Sequence, residues 1–379
     1  MRESILILLA ILWSAGVLAD NSDVATFNTA WLAYEEAAAS DNDELEIETA
    51  AQVLEAAKKL FPESDKRLAV ITHNYGVALS DGGKREDAVP VLKEALRLAE
   101  VSYGEQGNYL IPVLADLGDA QAAPFKPGLQ VHKYKRALKI AAANFGKQSK
   151  EYADLAFRAS RNVYEMSLSL SARRYMIEAR DIYAALAEPE TQNIGIADFY
   201  LGKMEFTDRD YRNSSKHLES ALVGFDAPGD TNQTFRLMTR ALLVQAYEHR
   251  GLTDEATEHC VAIGRESQFS ADQDYMPLFR VAPVYPRSML GAGKSGHVDL
   301  EFTIDETGFV REPAVIAREI NGKERKRSSD FDDAAMDAVK RFRYAPKFED
   351  GEAVVRSGED EYLLPLENVQ RARVVPRFD

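Results

Sequence analysis

The chain holds 379 residues, 45% of them hydrophobic and 28% charged, with a net charge of −15. That length admits two or three domains of ordinary size, about 100–200 residues each. The acidity excludes a general nucleic-acid binder, because nothing would offset phosphate repulsion. The charge is uneven: residues 277–379 carry 17 Lys+Arg and 19 Asp+Glu, so most of the excess lies upstream. The single cysteine, Cys260, rules out an intramolecular disulfide and argues against a cysteine-based zinc site. The histidines are scattered, and His249 and His259 miss the i, i+3 or i, i+4 spacing that brings two ligands to one helix face. Neither a metal nor a cofactor is expected.

The first element in chain order is the leader MRESILILLAILWSAGVLAD. Arg2 supplies a short charged start, Ser4 to Leu18 is mostly apolar, and Val17-Leu18-Ala19 places short residues before a cut after Ala19. This is the pattern of a secretory signal peptide over residues 1–19. The apolar stretch falls short of the ~20 residues that span a bilayer comfortably. The expectation is export, with an uncleaved membrane anchor as the alternative. No cysteine follows the cut, which argues against a lipoprotein anchor.

The long middle is self-similar. GVALSDGGKREDAVPVLKEALRLAEVSYG starts at Gly76 and GDAQAAPFKPGLQVHKYKRALKIAAANFG at Gly118; Ala95 and Ala137, and Gly104 and Gly146, keep the same separation. Within a unit a small residue is followed by a second small one, a large apolar one and a third small one: Gly76, Ala88, Leu92 and Ala95. The same offsets recur at Gly202, Ser214, Leu218 and Ala221. They recur more loosely at Val244, Ala256, Cys260 and Ile263, and at Ala38, Ala50, Leu54 and Ala57. Small residues let two helices cross closely while the large one fills the groove between them. Residues 25–268 resemble tetratricopeptide (TPR) repeats, in five or six units. The resemblance implies an α-solenoid with a curved groove for a protein ligand that the sequence does not identify. Asn74, Arg158 and Arg161 are groove candidates for holding a peptide end. No nucleophile–base set, carboxylate pair or phosphate loop stands out, so no enzyme is expected.

The pattern changes after His297. Val298, Leu300, Phe302 and Ile304 alternate with Asp299, Glu301, Thr303 and Asp305, which puts four apolar residues on one face of a strand. Glu306-Thr307-Gly308 supplies a tight turn, and a returning strand is expected over about Phe309–Arg318, irregular or at an edge near Pro313. INGKERKRSS reads as a polar loop whose Lys323, Arg325, Lys326 and Arg327 form a basic run. DFDDAAMDAVKRFR, residues 330–343, reads as a helix capped by Asp330. Its apolar stripe is Phe331, Ala335, Ala338, Val339 and Phe342, and Lys340, Arg341 and Arg343 suit its negative end. Glu361–Leu366 offers a closing strand, and residues 368–379 read as a tail. The expected architecture is mainly α: a solenoid, then a small α+β (ββαβ) domain over residues 277–367.

Five words in order carry a second resemblance: Tyr285-Pro286; Gly296-His297-Val298; Asp305-Glu306-Thr307-Gly308; Asp333-Ala334-Ala335; and Phe342-Arg343-Tyr344-Ala345-Pro346. Together they resemble the C-terminal domain of the TonB energy-transducer family. The resemblance implies a periplasmic binding domain of Gram-negative bacteria that grips a short extended segment of an outer-membrane transporter by strand addition. Carried over, the partner-binding residues are Tyr362, Leu363, Leu364 and Pro365 on the closing strand, with Val284, Tyr285 and Pro286 beside it. Many family members add a membrane helix that engages an ExbB–ExbD motor, and a Pro-rich stalk. This sequence shows neither an intramembrane histidine nor such a stalk. The reading is therefore a periplasmic adaptor of TonB-dependent transporters, linked to the inner membrane through motor proteins or another TonB. Its alternatives are a membrane-anchored transducer with a retained leader, and an envelope scaffold without transporter binding.

Overall fold

The computed structural model describes residues 21–121, 127–165, 169–225, 232–267, 277–290, 295–325, 327, 329–349, 352–353 and 370–374. The helical part runs α1 (Asn21–Ala38), α2 (Asp43–Leu60), α3 (Lys66–Asp81), α4 (Arg85–Tyr103), α5 (Leu110–Ala120) and α6 (Pro127–Phe145). It continues with α7 (Lys150–Glu165), α8 (Ser169–Ala185), α9 (Thr191–Thr207), α10 (Tyr211–Phe225), α11 (Gln233–Arg250) and α12 (Thr253–Glu266). Each odd helix packs on the even helix that follows it, which makes TPR-like hairpins. The chain divides into two compact units, Met1–Leu186 and Ala187–Asp379. In the first, α2 packs on α3, α4 on α5 and α6 on α7; in the second, α10 packs on α11.

The small-residue offsets explain the hairpins physically. Ala88, Leu92 and Ala95 are all fully buried. A Cβ on Gly76 would lie 2.5 Å from Leu92 Cδ2, and one on Gly202 would lie 2.7 Å from Leu218 Cγ. The glycine is the space that the leucine of the next helix occupies. Hairpin α7–α8 repeats the same offsets with Ser160, Ala172, Met176 and Ala179, all buried, a unit not singled out above. Its signal is muted because a serine stands in the first place. The Ser160 hydroxyl donates to the Ala172 carbonyl across the hairpin at 2.7 Å. Ser214 makes the mirror-image bond to the Gly202 carbonyl at 2.8 Å.

The remaining elements are β1 (Pro277–Phe279), α13 (Arg287–Leu290), β2 (Gly296–Ile304), β3 (Val310–Ile320), β4 (Lys323–Glu324), α14 (Asp330–Val339), β5 (Arg343–Tyr344), β6 (Phe348–Glu349), β7 (Glu352–Ala353) and β8 (Gln370–Val374). An antiparallel sheet has the order β4-β3-β2-β8; β1 pairs with β5, and β6 with β7. The alternation in β2 does what it predicts: Val298, Leu300, Phe302 and Ile304 face a core closed by Phe331, Ala335, Ala338 and Val339 of α14. Arg318 of β3 and Asp332 of α14, both nearly buried, pair at 2.8 Å.

Several expectations change. The polar loop after β3 is a tight hairpin. Asn321 and Gly322 take φ values of 51° and 72°, and β4 pairs back on β3. Asn-Gly is the strongest short hairpin signal, and the basic run hid it. Helix α14 ends at Val339, not at residue 343. Phe342 turns into the core, and Arg343 leaves the helix end assigned to it, becoming a fully buried residue of β5. Ser329, not Asp330, occupies the N-cap. The closing strand expected at Glu361–Leu366 lies outside the described residues. The strand seen beside β2 is β8, within the stretch read as a tail.

Candidate functional site

The sheet is built around the turn between β2 and β3. Asp305 Oδ1 accepts from the Thr307 backbone N–H at 2.9 Å, the Thr307 hydroxyl at 2.7 Å and the Phe309 backbone N–H at 2.9 Å. Its Oδ2 accepts from Arg311 Nε at 2.7 Å. Burial alone would raise this carboxyl, but these donors outweigh it and hold it below the ordinary aspartate value. Gly308 follows with φ 83°, where a side chain would also run into the Tyr344 carbonyl. The turn therefore fixes where β3 starts beside β2.

Two sheet borders matter for strand addition. On one side β4 covers only Glu319 and Ile320 of β3, so among the described residues most of that strand has no neighbour beyond β2. The pairing is irregular there: the β2–β3 register shifts twice, and Glu312 takes φ 50° beside Pro313. That fits a proline in a strand with one side unpaired. On the other side β8 lies between β2 and the outer border, with Asp299 opposite Arg373 and Glu301 opposite Arg371. Among the described residues no strand pairs with the far side of β8.

The residues expected to bind a partner divide. Val284 is 84% exposed. Tyr285 is half-buried; its ring meets Phe331 edge-on at 5.4 Å and packs on the sheet core. Pro286 is also half-buried and leads into α13. Tyr362, Leu363, Leu364 and Pro365 lie outside the described residues. Of the basic run, Lys323, Arg325 and Arg327 are exposed, and Lys326 lies outside the described residues.

The repeat candidates divide as well. Arg158 is already engaged: it pairs with Asp116, and with Asp119 at 2.6 Å. His73 Nε2 meets Asp116 at 2.7 Å, and Asn162 and Tyr134 close on Asp119. The network joins α3, α5, α6 and α7 of the first unit. Burial would raise Asp116, but His73 and Arg158 bring it down to about 2. Asp119 is pushed up by burial despite Arg158. An arginine so compensated is a structural tie, not a free clamp for a peptide carboxylate. Arg161 is exposed, with its guanidinium 6.0 Å from the centre of the Phe157 ring, and Asn74 is half-buried.

Residues 281–360 match the family model for the Gram-negative bacterial TonB protein C-terminal. The match starts just after β1 and ends before β8. No curated protein matches the chain. Among solved structures the chain is similar to BtubC (BKLC) from P. vanneervenii, at 17% identity over 70% of this chain and 99% of that one, with a TM-score of 0.47. It is also similar to nearly identical TPR-like repeats from Podosopora anserina, at 12% identity over 53% and 93% of the two chains, TM-score 0.45. A third is aspartyl phosphate phosphatase F from Bacillus subtilis, at 13% identity over 68% and 78%, TM-score 0.46. The TPR-like assignment itself rests on the residue offsets and the helix pairing.

Proposed function

We propose that this chain is a periplasmic adaptor of the TonB system. Its TonB-like domain binds an extended segment of an outer-membrane TonB-dependent transporter by strand addition, and its repeats hold a second protein. Together they support energised uptake across the outer membrane. The observation that carries the reading is the family match over residues 281–360 on a sheet whose outer strand, β8, has no partner on its far side among the described residues. Strand addition needs such a border, because the incoming backbone supplies the missing hydrogen bonds.

The partner-binding surface in this proposal is the strand border on the β8 side, with Tyr362, Leu363, Leu364 and Pro365 preceding it and Val284, Tyr285 and Pro286 nearby. Exposed Val284 is the residue best suited to touch a ligand, while Tyr285 supports it from the core. The leader over residues 1–19 is read as a cleaved export signal, and N-terminal sequencing of the mature protein should start at Asp20. No helix among the described residues is long and apolar enough to cross a membrane. With the leader cleaved, a partner supplies the connection to the inner membrane, either a motor protein of the ExbB–ExbD type or another TonB. Binding, not catalysis, is the role of both modules.

The test is a TROSY titration of the isotope-labelled mature chain with peptides from transporter N-termini. Shifts should cluster on β8, residues 361–366 and Val284–Pro286. Unchanged spectra at roughly millimolar peptide, a binding energy of only about −4 kcal/mol, would end the transporter reading.

A further inference from the structure

A small domain at the end of a repeat array is ordinarily a separate body on a linker, its core closed on itself. Here the compact unit that contains the TonB-like domain begins at Ala187 and so includes hairpins α9–α10 and α11–α12. Three observations bear on what joins the last hairpin to the domain.

The first is a shared apolar core. Val244 of α11 and Ala256, Cys260 and Ile263 of α12 form one cluster with Phe279 of β1 and Ala345, which follows β5. The second is close backbone approach. A Cβ on Gly264 of α12 would lie 2.2 Å from the Pro346 carbonyl oxygen and 3.0 Å from the Phe348 ring. The glycine is what lets that segment lie on the helix. The third is Arg343, whose side chain is wholly buried. Its Nη1 donates to Glu248 of α11 at 2.7 Å, and its Nη2 to the Thr257 hydroxyl of α12 at 2.7 Å and to the Thr307 carbonyl in the β2–β3 turn at 3.3 Å. The guanidinium also lies 3.7 Å from the centre of the Phe309 ring. One side chain thus touches α11, α12 and the β2–β3 turn.

We infer that the TonB-like domain is the terminal cap of the repeat array, locked to hairpin α11–α12 through Arg343 and Glu248, so that sheet and hairpin move as one body. A buried charge is held where its countercharge is, because leaving either one unpaired is far costlier than keeping the pair. Undocking would strand Arg343 or Glu248 and bare the shared apolar face together. A strand bound at the sheet border would then pull on the repeats directly, through this junction. The inference does not depend on what the border binds.

Cys260, the chain's one cysteine, is buried in this junction, with its Cβ 3.4 Å from where a Cβ on Gly308 would stand. Its rate of reaction with a maleimide in the native mature chain reports opening of the junction, and far-UV circular dichroism reports helix loss separately. In the natural chain Cys260 should react no faster than the helices unfold. Arg343→Met and Glu248→Gln should each speed labelling by roughly a hundredfold while the helical signal persists. Among the described residues Arg343 Nε makes no hydrogen bond, so the pair is incompletely satisfied. The double variant Arg343→Met/Glu248→Leu should therefore return most of the protection. If Arg343→Met unfolds outright, Glu248→Gln and the double variant decide. Rapid labelling of the natural chain, or labelling unmoved by Glu248→Gln, overturns the lock.

Discussion

Single carboxylates and amides settle more of this molecule than their number suggests. Asp305 closes the β2–β3 turn with three bonds to Thr307 and Phe309 and a fourth to Arg311. Asp305→Ala should lower stability by about 1–3 kcal/mol, read by urea unfolding, because buried donors lose their acceptor. The pH dependence has a definite sign. The folded carboxyl sits below its ordinary value of 3.8, so its contribution is complete above that value and is lost as pH falls through the lower folded one. The Asp305→Ala penalty should therefore shrink in acid. Gln130 is the opposite case. It occupies a small-residue place in the offsets, between Gly118 and Tyr134, and is fully buried, with neither amide atom hydrogen-bonded among the described residues. Gln130→Met keeps the volume and removes the orphaned amide, so it should raise stability by about 1–2 kcal/mol, seen as a higher Tm.

At the scale of elements, close helix crossings separate two kinds of glycine. In α10 a Cβ on Gly224 would stand 2.7 Å from the Gly195 Cα and 2.8 Å from the Thr191 carbonyl, all backbone of α9. On Gly76 the obstacle is the end of the Leu92 side chain. An alanine gains about 0.5–1 kcal/mol of helix preference over glycine. At Gly224 overpacking of about 1–3 kcal/mol should exceed it. Thermal unfolding should then show Gly224→Ala clearly destabilised and Gly76→Ala less so, because there the buried Leu92 side chain, not backbone, must repack around the new methyl. Much of this level was legible beforehand. The glycine–leucine offsets exposed the hairpins, and the alternation from Val298 to Ile304 exposed a core strand. The Ser160 unit escaped because a hydroxyl bonded across the hairpin replaces the usual small apolar residue. The Asn321-Gly322 turn escaped because neighbouring charges made it look like a loop. Arg343 escaped for a deeper reason: a basic residue just past a helix fits its dipole, and nothing local reveals a countercharge ninety-five residues upstream.

At the scale of the whole chain, the two compact units divide inside the repeats, between α8 and α9. A fragment of residues 187–379 should fold alone with a cooperative transition. A fragment of residues 277–379 should expose the junction's apolar face, bury Arg343 poorly and associate or stay partly unfolded; calorimetry and light scattering on the two fragments check this. The candidate site was legible only as a kind of surface. The family words placed a sheet with an open border, but the strand that lines it, β8, falls beyond them. What marks Gln370–Val374 as a partner for β2 is a short alternation that sets Arg371 and Arg373 opposite Glu301 and Asp299, a choice by complementary charge that shows only once the two strands are laid side by side.

That choice has a practical corollary. Strand β8 shields β2 with only five residues. A variant cut short before Gln370 would lose the shield and lay bare the core strand itself. Trimmed molecules should therefore stick to one another edge to edge. Light scattering on the shortened protein, set beside the full chain, checks this.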